Sequence, residues 1–386
     1  MAVGVHRMNN FVVYRNCFTG DVSGGDMHAG GFCAWVQVAH PETPISLVHA
    51  ANDGQEAVYP ETAALQQLTY ADNGAQRPVG LMYMRRAQRG SRVPLPNDEE
   101  DNVFVAGSHF LPDVLPVYRN GGRGMRAVYI HHIVQDMPRP RGLNTLLANI
   151  QERWCFRLIR RKFDKIITVN QDVVDGLRRR GFKQPILVSS NFVDNGGARP
   201  MAIANKDFTL AFCGRMVKQK GVDDFVRLCE VLQRDDNDFR AVMIGIGPEL
   251  HRLVELATRK RLNITFAGRA SESEKFEYLR RARLFVFPSV EEGWGIVIAE
   301  ALSVGTPVLA YDLPVYKSAF GRHIRTVAVG NEQRLRSSSR RLLARYRQSP
   351  AAYAKEQDEL VAFAGRFQRD TVAAREYAFL LEGAAV

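Results

Sequence analysis

The chain has 386 residues, 46% hydrophobic and 24% charged, a composition that supports folded cores and excludes a disordered or fibrous chain. At roughly 100–200 residues per domain, two domains are expected and a small binding module is excluded. Lys and Arg number 52 against 41 Asp and Glu, a net charge of +11 spread over both halves, which favours an acidic partner: nucleic acid, anionic lipid or a phosphorylated small molecule.

The N-terminus, MAVGVHRMNN, lacks the apolar run of a signal peptide, and no segment approaches the roughly 18–20 apolar residues of a spanning helix, so a cytoplasmic location is expected. The first predicted strand is Phe11–Tyr14. It is followed by Ser23-Gly24-Gly25-Asp26-Met27-His28, a Gly-Gly turn into an apolar helix. Further strands are expected at Ile45–Val48, Val103–Ala106, Ala127–Ile130, Ile166–Val169 and Ile186–Val188, short runs rich in Val and Ile with amphipathic segments between them, as β-α units of a parallel sheet require. Arg85, Arg86, Arg89 and Arg92 fall in what reads as a long basic loop. His131 and His132 stand at a strand C-terminus, where they can hydrogen-bond a polar substrate.

The segment Arg153–Lys165 reads as a basic amphipathic helix, with Trp154, Phe156, Leu158 and Ile159 among six basic residues. Two readings stay open for it: an apolar stripe packed on the sheet with a solvated basic face, or docking on an anionic membrane surface. The five cysteines are odd in number and form no C-x-x-C pair, against a disulfide framework or a zinc site.

Asn191–Asp207, with Asn195-Gly196-Gly197 and Pro200, reads as a linker. It divides the chain into a domain over 1–195 and a second over 196–365, with a terminal helix within 366–386 returning to the first. A second strand series follows at Thr209–Phe212, Ala241–Ile244, Ile264–Phe266, Leu284–Phe287, Pro307–Ala310 and Thr326–Val329. The expected fold class is therefore α/β, two doubly wound Rossmann-like domains facing across a cleft. The Asp235-Asp236-Asn237-Asp238 run mimics a metal motif but follows a helical segment and reads as a solvated loop.

Two constellations in the second series carry chemistry. Arg215 and Lys220 follow the strand that ends at Phe212, where a planar guanidinium and a mobile ammonium suit the oxygens of a diphosphate. Pro288-Ser289-Val290-Glu291-Glu292-Gly293-Trp294-Gly295 then leads into a helix from Ile296, whose free N–H groups and positive dipole end suit an anion. Glu292 and Glu300 stand eight apart, so one carboxylate lies at the loop and the other along the helix.

Together these residues resemble the retaining glycosyltransferases of family 4, in the pattern PSxEEGWGxxxxEALxxGTPV with its E-x7-E pair Glu292 and Glu300. The resemblance spreads over nearly the whole chain, with weaker echoes at Phe104–His109 and Ile166–Val173. It implies the GT-B fold and a UDP- or GDP-sugar donor bound without a cofactor or metal. Arg215 and Lys220 would then bind the diphosphate, Glu300 the ribose, and Glu292 and His131 the transferred sugar, with His132 competing for the last place. Gly293, Trp294, Gly295 and Ile296 would bring backbone groups to the phosphate and sugar. The Gly24-Gly25 loop would close on the phosphates, and Gly245, Gly268 and Arg269 would line the base. Asn170 and Asn191-Phe192-Val193-Asp194 depart from common family residues in the interdomain region.

The implied activity is metal-independent, front-face transfer of a hexose-type sugar to a hydroxyl of a glycan, glycolipid or small-molecule acceptor, with the leaving phosphate as base. The implied location is cytoplasmic or peripheral on the inner membrane face. An epimerase or phosphorylase-like enzyme on the same architecture is the first alternative. A nucleic-acid-binding protein is the second, without a helix-turn-helix, zinc or aromatic ribonucleoprotein motif to accompany the charge.

Overall fold

The structure is a computed structural model that describes residues 10–17, 24–50, 66–70, 79–95, 102–120, 122, 124–136 and 143–382. It divides into two compact units: Met1–Asn191 with Arg369–Val386, and Phe192–Gln368.

In the first unit the described elements run β1 (Phe11–Tyr14), α1 (Gly24–Ala39), β2 (Ile45–Ala50), β3 (Gln66–Tyr70), α2 (Val79–Gly90), β4 (Val103–Ala106), α3 (Leu111–Asn120), β5 (Met125–Ile130), α4 (Leu143–Lys162), β6 (Lys165–Thr168), α5 (Gln171–Arg179) and β7 (Ile186–Val188). The strands form a seven-stranded sheet in the order β3-β2-β1-β4-β5-β6-β7, every neighbouring pair parallel. Because both faces are covered, the central strands β1, β4 and β6 are buried at every residue; β1 (FVVY) and β4 (VFVA) therefore read as unbroken apolar runs, while β6 buries Lys165 and Thr168 at its ends.

Two expectations fail here. Strand β3, QQLTY, sits at the sheet edge and carries too few apolar residues to show as a buried run. The basic loop around Arg85–Arg92 is largely helix α2, and Arg86 is buried, its Nη1 donating to the Asn16 carbonyl at 3.0 Å. The basic helix also shifts. Helix α4 starts at Leu143, ten residues before Arg153, and Lys165 belongs to β6, where its buried ammonium caps the carbonyls of Phe379 and Glu382.

The second unit runs β8 (Phe208–Cys213), α6 (Val222–Asp235), β9 (Ala241–Ile244), α7 (Leu250–Arg259), β10 (Ile264–Gly268), α8 (Glu272–Arg280), β11 (Ala282–Phe287), α9 (Ile296–Ser303), β12 (Val308–Tyr311), α10 (Pro314–Ala319), β13 (Arg325–Val327), α11 (Glu332–Gln348) and α12 (Pro350–Ala364). Its six-stranded parallel sheet has the order β10-β9-β8-β11-β12-β13, the doubly wound arrangement whose order reverses between β8 and β11. The chain then returns to the first unit as α13 (Arg369–Leu381), whose Ala373 and Leu380 join the core built on β1, β2 and β4. Asp235 and Asp236 end α6 in surface ion pairs with Arg340 and Arg347, so this acidic run is the solvated loop expected.

Candidate active site

In an open parallel sheet, ligands gather beyond the strand C-termini at the point where strand order reverses. In the second unit those ends converge through the backbone. Gly214 N–H donates to Ile244 O at 3.0 Å and Gly245 N–H to Gly268 O at 2.8 Å, which draws the ends of β8, β9 and β10 together. Arg215, next in sequence, is exposed and makes no ion pair with any described residue. Arg269, just past β10, is exposed as well.

The turn carrying Lys220 docks against the loop after β11. Val290 N–H donates to Gln219 O at 2.9 Å, and Ser289 Oγ to the same carbonyl at 3.2 Å. Gly221 makes this approach possible: at φ +68° it occupies left-handed backbone, and a Cβ there would lie 1.9 Å from Pro288 O. Lys220 Nζ consequently lies 2.5 Å from Glu292 Oε1 and 5.8 Å from the centre of the Phe287 ring.

Gly295 caps α9 at φ +92°, and a Cβ would lie 2.9 Å from Tyr316 Cε1. No side chain takes the capping position; Ile298 N–H donates to Gly295 O at 2.9 Å, which leaves the N–H groups of Ile296 and Val297 without a hydrogen-bond partner among the described residues at the positive end of α9. Gly293 is exposed, whereas the Trp294 indole is buried edge-on against Phe320 and Phe367, both ring centres 5.2 Å away. Trp294 thus spends its side chain on packing and has only backbone to offer a ligand.

Glu300 is 5% exposed in the middle of apolar α9. Its Oε1 accepts from Lys275 Nζ at 2.7 Å; its Oε2 is enclosed and has no hydrogen-bond partner among the described residues. Burial and the Glu272 carboxylate raise the Glu300 pKa, and Lys275 pulls it back. Sequence reading overlooked Lys275. Its signal was its place after the capping pair Ser271 and Glu274, on the helix face of buried Phe276 and Leu279. It also overlooked Tyr316, a buried phenol whose oxygen has no hydrogen-bond partner among the described residues; burial and the nearby Glu292 raise its pKa.

In the first unit, Gly24 and Gly25 open helix α1 and are not a loop; the preceding Ser23 lies outside the described residues. His28, on the same helix, is buried with its Nε2 2.8 and 2.9 Å from the two oxygens of Glu376, which also accepts from the Tyr129 hydroxyl at 2.8 Å. That partnership gives His28 a packing role. His131 is half-buried and stacks parallel to Tyr129 at 5.9 Å, with its Nε2 enclosed and without a partner among the described residues. Burial, then the neighbouring His28, His132 and His109, lower its pKa, which keeps the imidazole neutral near pH 7. His132 lies edge-on to His109 at 5.4 Å, and His109 shares buried Glu152 with the backbone N–H groups of Val134 and Gln135.

Residues 198–368 match the family described as Glycosyl transferases group 1. Among curated proteins, alpha-galactosylglucosyldiacylglycerol synthase of Streptococcus pneumoniae is 24% identical over 282 residues, 68% of this chain and 73% of that protein. D-inositol 3-phosphate glycosyltransferase of Nocardia farcinica is 35% identical over 31% of this chain, which spans 29% of that relative's length. Among solved structures, HepE of Anabaena in complex with UDP and glucose superposes with a TM-score of 0.71 at 14% identity, covering 97% of this chain and 100% of that one. Sucrose-phosphate synthase from Thermosynechococcus elongatus gives 0.72 at 14% identity, covering 97% and 98%. With two doubly wound parallel units and these neighbours, the chain has the GT-B fold, and residues 198–368 of its second unit are similar to the group 1 glycosyl transferases.

Proposed function

We propose that the protein is a retaining glycosyltransferase that binds a nucleoside diphosphate sugar in its second unit. The observation that carries the reading is the set of groups at the C-terminal ends of β8 and β11. Exposed Arg215, Lys220 and the uncapped start of α9 supply positive charge, while Glu300 keeps one enclosed oxygen open for a hydroxyl. Arg215 and Lys220 stabilise charge as it accumulates on the departing diphosphate, and preorganised donors of this kind typically contribute about 3–4 kcal/mol each. Glu300 takes the ribose hydroxyls. Glu292 meets the transferred sugar, and within the first unit the neutral imidazole of His131 can donate or accept a hydrogen bond. Gly245, Gly268 and Arg269 flank the base.

Two cations and a helix end do the work of a metal, so the reading requires none. UDP in the HepE structure supports a UDP-sugar, with a GDP-sugar as the other candidate. The leaving phosphate oxygen serves as base toward an acceptor hydroxyl, by front-face transfer. The first curated relative's name points to a glycolipid among the acceptor classes.

A membrane surface fits this acceptor, and helix α4 supplies the face for it. Phe156, Leu158 and Ile159 are buried in the core, so the apolar stripe of the basic segment itself is used for packing. The outward face of α4 nevertheless carries Leu146, Leu147, Ile150 and Trp154, 55%, 53%, 54% and 41% exposed. Arg153, Arg157, Arg160, Arg161 and Lys162 continue it as an exposed basic surface. An apolar, Trp-bearing stripe running into cations suits the interface of an anionic bilayer. Among the described residues no helix is long and apolar enough to cross a membrane.

A calorimetric screen of nucleoside diphosphates and their sugars against the full chain tests the reading. One of them binds, and Glu300→Ala and Lys220→Ala each weaken it about tenfold or more. Near-normal binding by both variants refutes the placement. Incubation with the bound sugar nucleotide separates transfer, which releases the nucleoside diphosphate, from epimerisation, which keeps it attached.

A further inference from the structure

We propose that Lys275 is a positioning residue of the nucleotide site: it clamps one carboxylate oxygen of Glu300 and thereby leaves the other aimed at a ribose hydroxyl of a nucleoside diphosphate. The inference rests on the donor-site reading and adds a residue that the E-x7-E pattern does not mark.

Helix α8 begins with a complete capping box. Ser271 Oγ accepts from Glu274 N–H at 3.3 Å, and Glu274 Oε2 accepts from Ser271 N–H at 2.8 Å. Lys275 is the fourth helical residue, in the turn where the helix dipole disfavours a cation. A lysine without a task there would extend into water. This one turns inward, its Nζ 2.7 Å from Glu300 Oε1, 2.7 Å from Glu272 Oε2 and 5.1 Å from the centre of the Phe276 ring.

The recipient is equally unusual. A carboxylate oxygen enclosed without a donor costs stability, and Glu300 Oε2 has no donor among the described residues. A hydroxyl brought by a ligand completes its hydrogen bonding. The ionisable groups that act on Glu300 are Lys275 and Glu272 from α8, with the Cys213 thiol at the end of β8 in turn raised by Glu300. Burial pushes that thiol up to about 12, so it stays neutral. Without Lys275, burial and Glu272 would act unopposed and raise the Glu300 carboxyl further. It would then take up a proton as pH falls, and a protonated carboxyl is the weaker acceptor.

The test is calorimetric binding of UDP and of GDP to the full chain from about pH 8.5 to about pH 6. The proteins compared are the wild type, Lys275→Met, Lys275→Gln, Lys275→Arg, Glu300→Gln and the Glu300→Gln/Lys275→Met pair, each checked for folding by thermal melting. Relative to wild type, Lys275→Met weakens the nucleotide that binds by about tenfold at neutral pH. The deficit grows as pH falls, Lys275→Arg restores most of the affinity, and Lys275→Met adds nothing to Glu300→Gln. Lys275→Gln, which keeps a hydrogen-bond donor without the charge, shows the same pH-dependent deficit and serves where the methionine variant does not fold. Wild-type affinity in both uncharged variants beside a weakened Glu300→Gln overturns the role of Lys275 alone. So does a deficit that is equal at every pH and persists beside Glu300→Gln. Wild-type affinity in Glu300→Gln, or no binding of either nucleotide by the wild type, overturns the donor-site reading together with it.

Discussion

Lys220 Nζ and Glu292 Oε1 lie 2.5 Å apart, so the cation assigned to the diphosphate and the carboxylate assigned to the sugar hold each other. A diphosphate that takes Lys220 competes with Glu292 for it. Glu292→Gln therefore raises the affinity for UDP by about threefold, the scale of a partly solvated ion pair. It lowers the further gain that a UDP-sugar shows over UDP. Calorimetry with both ligands reads this directly, and unchanged affinities for both would remove Glu292 from the donor site.

In the first unit, Glu376 accepts from both His28 and Tyr129, and all three side chains are buried. Removing a buried carboxylate from two partners leaves both unsatisfied. Glu376→Ala costs about 3 kcal/mol of stability, seen as a lower urea midpoint, while Glu376→Gln costs less than half of that. Equal midpoints for Glu376→Ala and wild type would show the network to be energetically idle.

Lys206 supplies a pH signature in the second unit. Its ammonium is buried against the carbonyls of Arg280 and Ala282, and burial, then Arg280, lower its pKa to about 7. Above pH 7 the folded chain releases this proton and the unfolded chain keeps it, so stability rises with pH from about 7, by at most about 1.4 kcal/mol per pH unit. Buried thiols oppose this above their ordinary value: Cys33 and Cys213 are both pushed up to about 12, so only the unfolded chain loses those protons there. Thermal melts at about pH 7 and about pH 8.5 should show a gain in wild type that Lys206→Met lacks. A gain of the same size in the variant would assign the slope to another group.

Helix α4 separates lipid docking from simple charge. Vesicles rich in phosphatidylglycerol should pull down the wild type at low salt, and vesicles of phosphatidylcholine alone should not. Ile150→Glu/Trp154→Glu keeps every basic residue of the helix yet should lose most of the binding, because both side chains are outward and apolar. Binding by the double variant as strong as wild type would leave only an electrostatic attraction.

Much of this architecture was legible because parallel strands buried on both faces announce themselves as runs of Val, Ile and Phe: β1, β4, β9 and β11 lie where the apolar runs place them. Edge strand β3 is mostly polar, and its pairing with β2, not its composition, makes it a strand. The loop that carries Glu292 and the helix that carries Glu300 follow from glycine spacing, since a helix opening on Gly295 needs left-handed backbone. The partners of both carboxylates did not follow, because Lys220 and Lys275 reach them across folds of the chain that local pattern does not encode. The misread arginines of α2 show the same limit: Arg86 is buried because a carbonyl from β1's trailing residues awaits it.

The first unit is discontinuous: its last helix is made after all of the second. The second, contiguous from Phe192 to Gln368, has every residue it needs as soon as that stretch leaves the ribosome. His28 and Tyr129, synthesised far earlier, wait for the carboxylate of Glu376 until the second unit has been made. Synthesis order and completion order are thus inverted, and a chain halted after Gln368 would hold a finished second unit and a first unit whose buried histidine has no acid to meet.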